Sequence, residues 1–384
     1  MDTETGKMNI LFVLTYYHPY ISGLSVHVKR LGEEFVKKGY KVTVLCMKHD
    51  KNLPGIEMQN GIKIIRARSI AKINKALVSL EWIWLLIKNL KGISFLMINL
   101  PQAEGWLAAG LGRLMGKKVI STYHCSVKAE NSFVQQIIKV VNALAMFWSD
   151  RIVVFTKDYA DSVTELRLFR NKLKYILPPI PNYSIDLKWK EQLKRRLGDC
   201  VIIGMVGRIA TEKGMEYVIE AIPKLKRALS RKIKIVMVGP TDPVGEINYK
   251  RKIMKIIEIY KEDVILLGKI PEDKMGAFYS SLDLLILPSL NSTEAFGLVQ
   301  VEAMKFGVPV IASDLPGVRV PIQLTGMGKL IPVGNTKAIL EAIVDVYNRR
   351  DSYIRKKLLV KALFSFEKSV GEWENLFHGK IGVI

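Results

Sequence analysis

Apolar residues along this 384-residue chain follow two alternating rhythms, and the alternation predicts the fold. Short apolar, β-branched runs at 9–15, 41–47, 62–66, 93–100, 118–121 and 151–155 read as buried strands. Between them lie segments with helical spacing, at 25–38, 75–90, 103–115 and 133–148. Gly39 and Gly116 stand where a helix C′ glycine belongs. A further short strand is expected at 172–176. The rhythm then restarts, with strands at 201–206, 233–238, 264–267, 284–287 and 308–312. Helices are expected at 215–229, 247–260, 273–280, 297–306, 337–349 and 364–377. Two successive strand–helix–strand series predict an α/β chain with two doubly wound, Rossmann-like domains. Pro178, Pro179 and Pro181 form a stiff linker between the series, so the domains are expected over 1–180 and 181–362. Residues 1–7 are polar and read as a frayed terminus.

Composition narrows the picture. The chain carries 58 Lys and Arg against 36 Asp and Glu, a formal charge of +22. Such a balance favours anionic partners: nucleic acid, an anionic membrane surface or a phosphorylated substrate. There is no zinc-finger spacing, no aromatic RNA-binding motif and no basic tail, so nucleic acid is not expected as a partner. Three distant cysteines, Cys46, Cys125 and Cys200, show no metal spacing and suit a reducing, cytoplasmic setting. No secretory leader is expected, and no run reaches the roughly 20 apolar residues of a membrane span. No G-x-G-x-x-G follows the first strand, which argues against a dinucleotide cofactor.

The candidate chemistry concentrates in 284–317. Strand 284–287 ends at Pro288, a polar loop leads to Glu294, and Ala295-Phe296-Gly297-Leu298 turns into a helix. The start of that helix offers unpaired backbone N–H groups and a positive dipole end, a ready site for a diphosphate. Glu294 and Glu302 flank it. A carboxylate beside a diphosphate is of no use as a charge partner, but it accepts hydrogen bonds from sugar hydroxyls. Phosphate in the middle and polyol at each end describe a sugar nucleotide. In the second series, Gly207-Arg208-Ile209-Ala210-Thr211-Glu212-Lys213-Gly214 forms the first strand-to-helix loop. Its Arg and Lys suit phosphate oxygens, one as a fork and the other as a point charge.

The spacing Glu294-x7-Glu302 with Phe296-Gly297 resembles the donor-site signature of the retaining GT-B glycosyltransferases of family 4. The G-R-x4-K-G loop and the rest of the chain extend the resemblance over nearly its whole length. The resemblance implies a GT-B fold: two Rossmann-like domains facing a cleft, with a C-terminal helix, 363–384, crossing back to the first domain. It further implies that Arg208 and Lys213 hold the donor diphosphate, that Glu302 binds the ribose diol, and that Glu294 binds hydroxyls of the transferred sugar. Ala295, Phe296, Gly297 and Leu298 would line the phosphates, and the backbone at Lys269 and Ile270 would meet the base. From the first domain, Gly23 would approach the donor and His124, after strand 118–121, would touch the sugar. The family's usual glycine pair is Ser22-Gly23 here, and its acidic residue near Val320 is absent. No Asp-x-Asp motif is present, so a hexosyltransferase that needs no metal or other cofactor is expected.

The acceptor is left open by these motifs. Trp82, Trp84 and the apolar helix 133–148, with Lys29, Lys37, Lys38 and Lys72, suggest a face for an anionic membrane and a lipid-linked acceptor. Packing of both helices on their own sheet accounts for the same residues. Two other functions stand as alternatives: a GT-B relative such as a sugar-nucleotide epimerase, or a non-catalytic basic protein that binds nucleic acid or membrane on this scaffold.

Overall fold

A computed structural model describes residues 8–68, 71–73, 76–127, 131–241, 246–354 and 356–379, with backbone alone at 71–73 and 76–78. The expected frayed segment 1–7 and Lys75 lie outside the described residues. The chain forms two compact units, Met1–Pro179 with Glu367–Ile384, and Ile180–Phe366.

Unit 1 is built in chain order from β1 (Asn9–Val13), α1 (Gly23–Lys37), β2 (Lys41–Met47), β3 (Ile56–Gln59), β4 (Ile62–Ala67), β5 (Ala71–Ile73) and β6 (Ala76–Val78). It continues with α2 (Leu80–Leu90), β7 (Phe95–Leu100), α3 (Gly105–Leu114), β8 (Lys118–Tyr123), α4 (Ser132–Trp148) and β9 (Arg151–Val154). Two short helices, α5 (Lys157–Ser162) and α6 (Thr164–Arg167), precede β10 (Leu173–Tyr175). Eight strands form one sheet in the order β10-β9-β8-β7-β1-β2-β4-β3, parallel except for the β3–β4 hairpin. The predicted helix 75–90 is corrected. Its first part is strand β6, paired antiparallel with β5, and α2 starts only at Leu80, where Ser79 caps the Trp82 N–H at 3.2 Å. Trp82 is fully buried on the inner face of α2, so it belongs to the core, whereas Trp84 is 59% exposed.

Unit 2 comprises α7 (Leu187–Leu197), β11 (Val201–Val206), α8 (Met215–Ile219), α9 (Ile222–Leu229), β12 (Ile233–Val238), α10 (Ile247–Ile259), β13 (Val264–Gly268) and α11 (Met275–Tyr279). It ends with β14 (Leu284–Leu287), α12 (Leu298–Lys305), β15 (Val310–Ser313), α13 (Val320–Thr325), β16 (Gly328–Ile331), α14 (Thr336–Asn348), α15 (Arg350–Ile354) and α16 (Lys357–Leu363). Its six strands are all parallel, in the order β13-β12-β11-β14-β15-β16. The predicted helix 215–229 is two helices, because Pro223 opens a new first turn in α9. The last helix, α17 (Phe366–Phe377), returns to unit 1, where Trp373 is fully buried and Phe377 stacks on Phe95 at 4.4 Å.

Both sheets wind outward in two directions, so each has one point where the strand order reverses. In unit 1 it lies between β1 and β7, and in unit 2 between β11 and β14. Loops at the C-terminal ends of strands diverge there and open a crevice, where open α/β sheets bind ligands.

Candidate active site

The crevice of unit 2 is lined by the loop after β11 and the loop after β14. Gly214 closes the first loop with φ +58°, and a Cβ there would lie 2.5 Å from the Pro288 carbonyl oxygen, so only glycine lets the loops meet. Leu290 N–H donates to the Glu212 carbonyl at 2.8 Å and ties them together. Across this contact Lys213 Nζ meets Glu294 Oε2 at 2.5 Å, with both side chains only partly exposed. Arg208 Nη2 meets Glu212 Oε1 at 2.7 Å. Burial works to raise the Glu212 carboxyl, but Arg208, its own backbone N–H and Lys213 outweigh it and hold the group below its usual range. Two cations thus stand at one crevice, each resting on a carboxylate.

The second wall is α12. Gly297 takes φ +76° ahead of the helix, where a Cβ would collide with Leu287 and Gln300, and no side chain caps the first turn. Leu298, half-buried, opens the helix. Ala295 is buried, and the Phe296 ring turns inward against Phe364 at 6.1 Å, so Phe296 offers the crevice only its backbone. Glu302, 4% exposed, accepts from Tyr279 Oη at 2.6 Å and Tyr183 Oη at 3.2 Å. Its two oxygens already hold hydroxyls, the kind of group a ribose would present. Lys305, one helical turn further, donates to the Ile180 carbonyl at 2.5 Å and to Asn182 Oδ1 at 3.1 Å, pinning the linker from which Tyr183 projects. Lys269 is exposed and Ile270 half-buried after β13. They lie two strands from the crevice, on the same sheet edge, which the Gly239 N–H to Gly268 carbonyl bond of 2.9 Å makes continuous.

In unit 1, Gly23 is the first residue of α1, and a Cβ there would meet nothing within 4 Å. Ser22, in place of a glycine, caps α1 through a reciprocal pair with Ser25. His124 follows β8, is buried, and shares a 2.9 Å hydrogen bond between Nε2 and Asn99 Oδ1. Asn99 Nδ2 donates to the Val13 carbonyl at 3.2 Å, which fixes Oδ1 as acceptor and puts the His124 proton on Nε2. Burial and the neighbouring His27 hold His124 well below the usual imidazole range, and burial and Arg30 push His27 down to about 3. A neutral ring whose other nitrogen is an acceptor suits a hydroxyl and not a phosphate.

Structure thus brings Arg208, Lys213, Glu294 and Gly297 to one crevice, with Glu302 inside its wall. Gly23 and His124 lie on the sheet edge of the other unit. Asn99, Glu212, Tyr183 and Tyr279 escaped sequence reasoning. Asn99 was the most legible of them, as the one polar residue in the apolar strand FLMINL. Among the described residues no group of three His, Cys, Asp or Glu side chains is placed to hold a metal ion.

Two doubly wound α/β units, each with a crevice where its strand order reverses, have the layout of the GT-B glycosyltransferase fold. Residues 188–358 match the family profile "Glycosyl transferases group 1", and residues 21–181 match "Glycosyltransferase Family 4". The chain belongs to the group 1, family 4 glycosyltransferases. It is 26% identical over 349 residues to the phosphatidyl-myo-inositol mannosyltransferase of Mycobacterium leprae, covering 88% of this chain and 87% of that one. It is also 26% identical over 335 residues to an uncharacterized glycosyltransferase of Methanocaldococcus jannaschii, 81% of each chain. Among solved structures, Anabaena HepE in complex with UDP and glucose superposes with a TM-score of 0.79 at 16% identity, over 97% of this chain and 99% of that one. Sucrose-phosphate synthase from Thermosynechococcus elongatus gives 0.76 at 21% identity, over 97% and 98%.

Proposed function

We propose that unit 2 binds a nucleoside diphosphate sugar at its switch point and that the enzyme transfers the sugar, a hexose, to an acceptor hydroxyl with retention of configuration. One observation carries this reading: the Lys213–Glu294 pair, a phosphate-type cation and a hydroxyl acceptor held together at the crevice beside Gly297. Donor binding exchanges partners. The diphosphate takes Lys213 and Arg208, and their carboxylates are released, Glu294 toward the sugar hydroxyls. Charge that builds on the leaving diphosphate is then met by two fixed cations and the first turn of α12, without a metal. The leaving phosphate oxygen takes the acceptor proton on the same face. Glu302 holds the ribose diol in place of a tyrosine hydroxyl. The solved structures of HepE with UDP and UDP-glucose support this donor class.

Thermal unfolding against UDP-, GDP- and ADP-sugars tests the donor. At a hundredfold excess over Kd, one nucleotide should add about 2.7 kcal/mol of stability, and Glu302→Ala should abolish the shift. A panel with no shift at any concentration sinks the reading.

The acceptor is proposed to be lipid-linked and met at the inner face of the cell membrane. On α4 the side chains Phe133, Ile137, Val140, Leu144 and Phe147 are exposed at alternating spacings of four and three, one continuous outward stripe. Trp84 on α2 and Trp106 on α3 are exposed as well. Lys88 lies 4.9 Å from the Trp84 ring and Lys172 lies 5.6 Å from that of Phe147, so cations border the apolar surface. Lys29, Lys37 and Lys38, by contrast, lie on or at the end of α1 in pairs with Glu33, Glu34 and Glu374. Lys72 has no described side chain. Among the described residues no helix is long and apolar enough to cross a membrane, so the proposed attachment is peripheral. The relationship to a phosphatidyl-myo-inositol mannosyltransferase supports a lipid acceptor. Liposome flotation should show binding to anionic vesicles that weakens with salt, at ~1 kcal/mol per engaged cation, and disappears in Val140→Asp/Phe147→Asp. Equal recovery of that variant removes the membrane reading.

A further inference from the structure

In the crevice of unit 1, between the C-terminal ends of β1 and β7, the donor reading uses only Gly23 and His124 and leaves the residues that follow β7 without a role. Gln102 sits on its β7 side, two residues beyond the strand, and is 3% exposed. Its amide lies beside the Glu104 carboxyl, yet neither Nε2 nor Oε1 reaches a protein partner in hydrogen-bonding geometry. Glu104 Oε2 is likewise buried without a partner. Glu104 occupies the N-cap position of α3, where a carboxylate ordinarily accepts from the first-turn N–H groups, but it makes no capping bond. The Gln102 amide and one oxygen of the half-buried Glu104 carboxyl are therefore buried with no hydrogen-bond partner from the chain itself. A buried amide without a partner is a standing cost to the fold, and a ligand that satisfies it explains why it is there.

The chemistry of the crevice defines that ligand. Burial drives the Glu104 carboxyl upward, its own N–H and the Gln102 amide pull it partly back, and no lysine or arginine contributes. The β1 side is aromatic. Tyr16, which also feels the Glu104 charge, stacks on Tyr20 at 4.8 Å, and His49 stands edge-on to both rings at 6.1 and 5.6 Å. An amide gives and accepts hydrogen bonds at adjacent atoms, as do the neighbouring hydroxyls of a polyol ring. The nearest cation, Arg66 behind His49, is spent on Glu57 and on the Pro54 and His18 carbonyls, so a phosphate is poorly served here, and a plain alkyl alcohol would leave the amide half-satisfied.

We propose that Gln102 and Glu104, walled by Tyr16, form the acceptor subsite and that it takes a neutral polyhydroxylated ring, a sugar or cyclitol. This rests on the glycosyltransferase reading, and it makes the acceptor a glycosylated or cyclitol-bearing head group rather than a bare lipid phosphate or alcohol. Ligand-observed NMR on the full chain tests it, with methyl α-glucoside, methyl α-mannoside and myo-inositol as polyol probes and inorganic phosphate as the anionic one. At least one polyol should saturate, and its signal should fall about tenfold, the value of one lost hydrogen bond, in Gln102→Leu and in Glu104→Gln. Gln102→Leu should melt at or above the wild-type temperature, because it removes an unsatisfied amide. A purely structural Gln102 would instead lower the melting temperature and leave polyol binding alone. Polyol signals that are absent from the wild type, or unchanged in both variants, overturn the proposal. Nucleoside diphosphate binding, read in the same samples, separates that result from a failure of the donor reading.

Discussion

Replacing Lys213 with alanine should lower the transfer rate by about 10²- to 10³-fold, the range seen when one fixed stabiliser of a developing anion is removed. Its ammonium is held at 2.5 Å from Glu294 over the crevice, and in the proposed mechanism the same group meets the departing diphosphate. Two variants then separate the two halves of the pair. Lys213→Ala weakens binding of the free nucleoside diphosphate as well as transfer. Glu294→Ala leaves the nucleoside diphosphate bound and loses the sugar-dependent part of donor affinity together with turnover. Isothermal titration with diphosphate and with nucleotide sugar, beside a transfer assay run in EDTA, reads all of these. Near-wild-type transfer by Lys213→Ala would remove unit 2's switch point from the chemistry.

Trp373→Ala should destabilise unit 1 by about 3–5 kcal/mol, the cost of emptying an indole-sized site in a core. That is comparable to the lower end of a whole domain's stability, about 5–15 kcal/mol. Trp373 is fully buried, and its helix is held by Ser369 Oγ donating to the Leu177 carbonyl at 2.5 Å and by the Lys38–Glu374 pair at 2.8 Å. The Trp373 indole N–H meets no partner, so Trp373→Phe should cost much less than Trp373→Ala. Calorimetry distinguishes the site of damage. In Trp373→Ala the transition of unit 1 should move down while the nucleotide-dependent transition of unit 2 stays. A single transition shifted equally in both variants would contradict this.

Much of this architecture was legible because parallel strands are buried on both faces and so appear as uninterrupted apolar runs. The strands from 9–15 to 308–312 were read that way, and the G-R-x4-K-G and Glu-x7-Glu loops followed from strand ends. What failed was governed by capping and pairing. Segment 75–90 has enough apolar residues for one long helix, but antiparallel pairing of 76–78 with 71–73 and the Ser79 cap divide it. Trp82 and Trp84 differ by two positions, which on a helix places one inside and one outside. Within the site, Arg208 and Lys213 were readable as cations, but their resting partners were not. Glu212 meets Arg208 within one loop, four residues on, and Glu294 meets Lys213 across a loop contact that depends on Gly214. Tyr183 and Tyr279 reach Glu302 from positions 119 and 23 residues away, a distance no local pattern encodes.

The return of α17 also sets a schedule for synthesis. Phe35 and Phe95 receive Phe377 as a ring neighbour, at 5.2 and 4.4 Å, yet unit 2 occupies the 187 residues from Ile180 to Phe366 in between. At about 5–20 residues per second of translation, the first half of the chain waits roughly 10–40 s on the ribosome for its last core piece. Unit 2 is one uninterrupted stretch of chain, whereas unit 1 needs a helix made after it. The core around Phe35 and Phe95, begun first, is therefore the last to be completed.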